Sequence, residues 1–97
     1  MLIKLGKIKE AEQIINHSLR LYPENPELLV NYGFIYLSKE LFNEANISFS
    51  KAAELKPEYA DAHYNKGLAL LSLNKVEQAL SNFEKTIKLD RKSTRLN

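Results

Sequence analysis

Residues 56–67, KPEYADAHYNKG, decide how the chain is to be read. A proline with an acidic neighbour opens the stretch. A helical pattern of small and aromatic residues follows, and Gly67 then stands where the helix should continue. Glycine in a helix interior costs about 1 kcal/mol relative to alanine. Something other than local propensity has to account for it.

The account is a repeat. In steps of 34 residues, Pro57 meets Pro23 and Gly67 meets Gly33. Ala11, Ala45 and Ala79 keep the same spacing, as do Leu21, Leu55 and Leu89, and Ile15, Phe49 and Phe83. Glu10, Glu44 and Gln78 precede the three alanines. Such coincidence at one period is the signature of a repeat architecture.

On these residues the chain resembles the tetratricopeptide repeat family, whose units are 34 residues long. The second repeat fits the family pattern nearly throughout, at Leu29, Tyr32, Gly33, Tyr36, Ala45, Phe49, Ala52 and Pro57. The third has His63, Lys66, Gly67, Leu70, Ala79, Phe83, Thr86 and Arg91, of which Lys66 and Arg91 depart from the pattern. The first is present only in its second half, at Ala11, Ile15, Ser18 and Pro23. The resemblance covers about residues 1 to 89. It implies an all-α fold of antiparallel helix-turn-helix repeats stacked as a right-handed α-solenoid, with about two and two-thirds repeats and five helices. Residues 1–25 form a partial first repeat, mainly its second helix; 26–59 are the second repeat and 60–90 the third. Helices are expected over about 8–21, 27–39, 43–55, 61–73 and 77–89. Residues 1–5 would end a missing first helix. The apolar spacing agrees in Ala11, Ile14, Ile15 and Leu19, and in Val76, Ala79, Leu80, Phe83 and Ile87.

Each column has a physical reason. Gly33 and Gly67 give up helix propensity so that helix backbones can approach closely at a crossing. Pro57 stops one helix and starts the next pair, because proline is tolerated only in a first turn. Gly6 and Asn74 occupy equivalent turn slots, where a left-handed residue ends the first helix of a pair. Glu40 holds that slot in the second repeat, which predicts a strained or altered turn.

The end of the chain, DRKSTRLN at residues 90–97, breaks the pattern where proline belongs. It is also a translation of GAT CGG AAG AGC ACA CGT CTG AAC, which resembles a short-read sequencing adapter. Residues 91–97 are therefore expected to be a non-native or disordered tail, and the native gene to continue past residue 89 or 90. Setting aside Asp90, Arg91, Lys92 and Arg95 from the 14 basic and 12 acidic residues leaves 11 of each. The slightly basic balance thus gives no argument for nucleic acid.

The apolar share of 44% and charged share of 27% are ordinary for a globular protein. No apolar run approaches the roughly 20 residues of a membrane span, so no membrane partner is expected. The chain has no cysteine, hence no disulfide or thiolate chemistry. That fits a reducing compartment, and the cytoplasm is the expected location. His17 and His63 fall in different helices without ligand partners at i+4. Ser18 does not share a face with His17, and no glycine-rich phosphate loop appears. No catalytic residue, metal or cofactor is expected.

Binding remains. In the resembled family the first helices of each pair line a concave groove. The resemblance maps that groove to Glu27, Val30, Asn31, Phe34, Leu37 and Ser38, and to Asp61, Tyr64, Asn65, Leu68, Leu71 and Ser72. It also implies that Asn31 and Asn65, which share one slot, hold the backbone of a bound peptide. A carboxamide suits this, since it offers a donor and an acceptor. Family members that clamp a terminal carboxylate use basic residues on this surface. Glu27 and Asp61 stand there instead and would repel one. The expected role is a protein-interaction module for a peptide or helix, acting as scaffold or adaptor. The alternative is a recruiting region for a catalytic domain, such as a glycosyltransferase, outside this stretch. With neither end capped, self-association is expected.

Overall fold

The computed structural model describes residues 5–95, with side chains described for residues 6–91. Five helices follow one another: α1 (Leu5–Leu21), α2 (Pro26–Ser38), α3 (Phe42–Leu55), α4 (Ala60–Ser72) and α5 (Val76–Arg95). Helices adjacent in sequence pack against each other from α1 to α4 and again as α4 on α5, and α2 also touches α4. The stack is thus two complete hairpins, α2–α3 and α4–α5, preceded by α1. The described residues contain no strand.

The repeat columns are the core. Ala45, Phe49, Ala52, Ala62, Ala69 and Ala79 are fully buried, and Leu29 and Val30 join them. The alanines let helices approach, and the large residues fill what is left. Gly33 and Gly67 serve a different purpose from the expected backbone-to-backbone approach. A Cβ on Gly33 would stand 2.7 Å from Cδ1 and Cζ of Phe49 and closer still to Cε1; one on Gly67 would stand 2.5 Å from Cε1 of Phe83. Each glycine makes room for the aromatic ring of the following helix.

The turns bear out one expectation and correct two. Glu40 and Asn74 are both left-handed, at φ 61° and 62°, so the Glu40 turn is not altered. It is strained only in holding a side chain where glycine or asparagine costs less. The backbone closes identically at both sites: Leu41 N–H donates to Tyr36 O and Lys75 N–H to Leu70 O. Gly6 is not a turn residue. It lies in the first turn of α1, and a Cβ there would have nothing within 4 Å. Of residues 1–5, expected to end a preceding helix, Leu5 belongs to α1 and the other four lie outside the described residues.

Pro57 does not begin a helix either. It lies in the turn before α4, where its carbonyl accepts a hydrogen bond from His63 Nε2 at 2.7 Å. The proline at a helix start is Pro26, in the first turn of α2, preceded by Asn25, whose side chain accepts from Leu28 N–H at 3.1 Å. That satisfies one of the orphan donors of the helix end. Finally, α5 runs to Arg95, beyond the expected end near residue 89. Arg91 replaces the proline that would have stopped it, and is exposed.

Candidate functional site

α2 and α4 touch side by side, which sets the two rows of expected groove residues next to each other. In α2, Glu27, Asn31 and Ser38 are exposed or nearly so, Phe34 and Leu37 are half-buried, and Val30 is buried. In α4, Asp61, Tyr64, Leu71 and Ser72 are exposed, Leu68 is half-buried, and Asn65 is buried. Tyr64 and Leu71 each keep 48% of their surface in solvent. A large aromatic and a leucine so exposed on one helix form the open apolar part of this surface.

The aromatic residues of the groove are held from behind. The Phe34 ring meets Phe49 edge-on, with centroids 5.9 Å apart and planes at 76°. Tyr64 lies 5.7 Å from Phe83 at 51°. Phe34 is therefore half core and half surface.

The two asparagines differ although they share a slot. Asn31 is exposed. Asn65 is buried, and its Nδ2 donates to Asp61 O at 2.7 Å, one turn earlier in its own helix. Its donor is therefore engaged, and its Oδ1 is what it can offer another group.

One end of the groove carries charge. Lys56 Nζ, at the C-cap of α3, lies 3.5 Å from Glu27 Oε1 and 5.1 Å from the centre of the Tyr59 ring. The Tyr59 phenol is held above its ordinary pKa by burial first, then by the negative charges of Asp61 and Glu27.

The two histidines lie on different helices. His17 is exposed on α1, while His63 is buried on α4 and bonded to Pro57 O. That bond makes Nε2 the donor, leaving Nδ1 as a buried acceptor without a partner. His63 thus ties α4 to the turn that precedes it. Among the described residues no group of three histidines or acidic residues is placed to hold a metal. No helix among them is long and apolar enough to cross a membrane.

A concave feature lies outside the expected groove. A recess of about 460 Å³ lies between α1, α2 and α3, walled by Leu19, Leu29, Tyr32, Tyr36, Ile47 and Lys51 among others. Tyr32 and Tyr36 stack inside its wall at 4.8 Å and 12°. The Tyr36 pKa is pushed up to about 12, chiefly by a hydrogen bond with the Tyr32 phenol, with burial and nearby negative charge adding to it. The i, i+4 tyrosine pair is the available sequence signal, but both positions also fit the repeat pattern, which masks it.

Comparison with known proteins agrees with the repeat fold. Models of the tetratricopeptide repeat match residues 1–25, 26–59 and 60–93. A UDP-N-acetylglucosamine--peptide N-acetylglucosaminyltransferase of Giardia intestinalis is 35% identical over 71 residues, which is 73% of this chain and 5% of that protein. RNA polymerase II-associated protein 3 of Mus musculus is 30% identical over 87 residues, covering 90% of this chain and 13% of its own length. The chain thus spans a small part of the curated relatives it matches. Among solved structures, the first TPR of Spaghetti (RPAP3) bound to the HSP90 peptide SRMEEVD superposes with a TM-score of 0.84 at 28% identity, over 89% of this chain and 68% of that one. The second TPR of the same protein, bound to the same peptide, gives 0.81 at 26%, over 87% and 78%.

Proposed function

Because the chain belongs to the tetratricopeptide repeat family, we propose that it is a protein-interaction module, with scaffold or adaptor character, that takes an extended peptide or short helix along the groove of α2 and α4. The observation that carries this reading is the exposure of Tyr64 and Leu71 beside the half-buried Phe34, Leu37 and Leu68. Two structural neighbours, both TPR domains, hold a peptide.

In this reading affinity and choice come from different residues. Asn31 offers a ligand's peptide unit both a donor and an acceptor; Asn65 offers its Oδ1 to an N–H. Neither contact depends on the ligand's side chains. The apolar groove residues choose among side chains by fit. Glu27, Val30 and Asp61 complete the proposed lining, Val30 from below the surface.

The test is affinity for a co-purifying partner, wild type against Asn31→Ala/Asn65→Ala. Each hydrogen bond lost without compensation weakens binding by about 0.5–1.5 kcal/mol, with little dependence on ligand sequence. Unchanged affinity with an intact fold would move the binding surface elsewhere, first to the recess of Tyr32 and Tyr36.

A second reading is favoured by one comparison, the 35% identity to a stretch of a glycosyltransferase. In it the segment recruits substrate for a catalytic domain. The complete transcript separates the two: a nucleotide-binding α/β region downstream supports the enzyme, and further repeats support the scaffold.

A further inference from the structure

We infer that the groove of α2 and α4 selects a cationic peptide, with lysine or arginine side chains set against Asp61 and Glu27, and rejects the acidic peptide that its structural neighbours hold. The inference rests on the groove reading above and names the chemistry of its ligand.

The first observation is where basic residues are missing. α2, PELLVNYGFIYLS, has no lysine or arginine. α4, ADAHYNKGLALLS, has only Lys66. Lys66 stands one repeat after Tyr32, and Tyr32 lines the recess between α1, α2 and α3 rather than the groove. The two helices thus present the groove with carboxylates and no cation of their own. The peptide SRMEEVD carries three acidic side chains near its C-terminus. Seated here, they would meet Glu27 and Asp61, and like charges at close range repel.

The second observation is a cation already seated at that end. Lys56 Nζ lies between the Glu27 carboxylate, at 3.5 Å, and the face of Tyr59, at 5.1 Å. A carboxylate beside an aromatic face is a good environment for ammonium or guanidinium. Asp61, one repeat after Glu27 and also exposed, forms no such ion pair among the described residues. It is the open half of the pair. Both carboxylates also lie in first turns, where the helix dipole favours them. An acid on any face would serve the dipole; these two share the groove slot.

The spacing sets the ligand. Packed helices lie about 8–10 Å apart, and an extended chain advances about 3.3 Å per residue. Successive side chains of an extended chain point to opposite faces, so basic residues two apart, about 6.6 Å along the chain, face the groove together. Their long side chains reach toward both carboxylates, with apolar residues continuing toward Tyr64 and Leu71.

The experiment compares two fluorescein-labelled peptides by anisotropy against the 97-residue chain: SRMEEVD with a free C-terminus, and SRMKKVK with an amidated one. At about 10 mM salt the Debye length is about 30 Å, and SRMKKVK is expected to bind at least about ten-fold tighter. The ratio shrinks at about 150 mM salt and falls to about two-fold or less in Glu27→Gln/Asp61→Asn, checked for folding by circular dichroism. Equal binding, tighter binding of SRMEEVD, or no measurable binding of SRMKKVK overturns the inference. If SRMKKVK binding survives Glu27→Gln/Asp61→Asn but is lost in Asn31→Ala/Leu71→Ala, the charge assignment fails and the groove reading stands. If SRMKKVK binding ignores both variants, the groove reading itself fails.

Discussion

Alanine substituted for each of the three glycines should give three different outcomes. At Gly33 the new methyl would stand 2.7 Å from Cδ1 and Cζ of Phe49, well inside contact distance. Phe49 is fully buried and already edge-on to Phe34, so its ring has no open side to move into. Overpacking of this kind costs about 1–3 kcal/mol, against a helix-propensity gain of about 1 kcal/mol. The net loss is up to about 2 kcal/mol, with a fall in Tm of about 4–8 °C per kcal/mol for a domain of this size. At Gly67 the methyl would meet Phe83 at a similar distance, but Phe83 is only half-buried. Its ring can turn away, and the two effects should nearly cancel. Gly6 meets nothing within 4 Å and lies in α1, so Gly6→Ala should stabilise. Thermal melts followed at the helical circular-dichroism band, with urea melts for slope, rank the variants. If Gly33→Ala is stabilised as much as Gly6→Ala, the ring is not what the glycine accommodates, and the packing argument is wrong.

Two further outcomes follow from the backbone and the tyrosines. Glu40→Gly relieves a left-handed side chain at φ 61°; a strain of about 1–2 kcal/mol offset by the backbone entropy of glycine leaves a gain of up to about 1 kcal/mol, and a lowered urea midpoint would contradict it. Tyr36, with its pKa pushed up to about 12 in the folded chain against about 10 unfolded, keeps its proton longer when folded. Its contribution is therefore whole below pH 10 and is lost as pH rises toward 12, so Tm should fall more steeply over that window in wild type than in Tyr36→Phe; parallel curves would remove the assignment.

The helices and most of the core are legible because they are one pattern written more than once. Ala45, Phe49 and Ala52 read as core from their register with Ala79, Phe83 and Thr86, and the first three are fully buried. What cannot be read is the partner that each slot meets. A small residue at 33 says that something comes close, not whether it is a backbone or a ring. The start of α1 and the end of α5 escape the pattern for a related reason. Gly6 is in register with Asn74, yet it lies within α1 and is not left-handed, so register alone does not carry the conformation of a turn. Arg91 departs from proline, and a residue that does not break a helix lets it continue.

The groove is legible as a set of positions and not as a set of exposures. Asn31 and Asn65 are one slot by spacing, yet Asn65 ties its amide to Asp61 O and is buried while Asn31 is exposed on the surface. Side-chain hydrogen bonding to the preceding turn is a local choice that periodicity does not encode. Register also hides how the aromatics are shared out. Phe49 and Phe83 are equivalent, but the groove residue resting on the first is Phe34, and on the second it is Tyr64, whose equivalent in the second repeat is Val30. The aromatic of the groove is thus displaced by about one helical turn between repeats. Each is supported by a ring that needs a glycine behind it: Gly33 admits Phe49, which supports Phe34, and Gly67 admits Phe83, which supports Tyr64. A close-packed interior passes a displacement on to its neighbours. The glycine in KPEYADAHYNKG therefore reaches the proposed ligand surface through a single ring, and the packing columns and the groove cannot be varied independently.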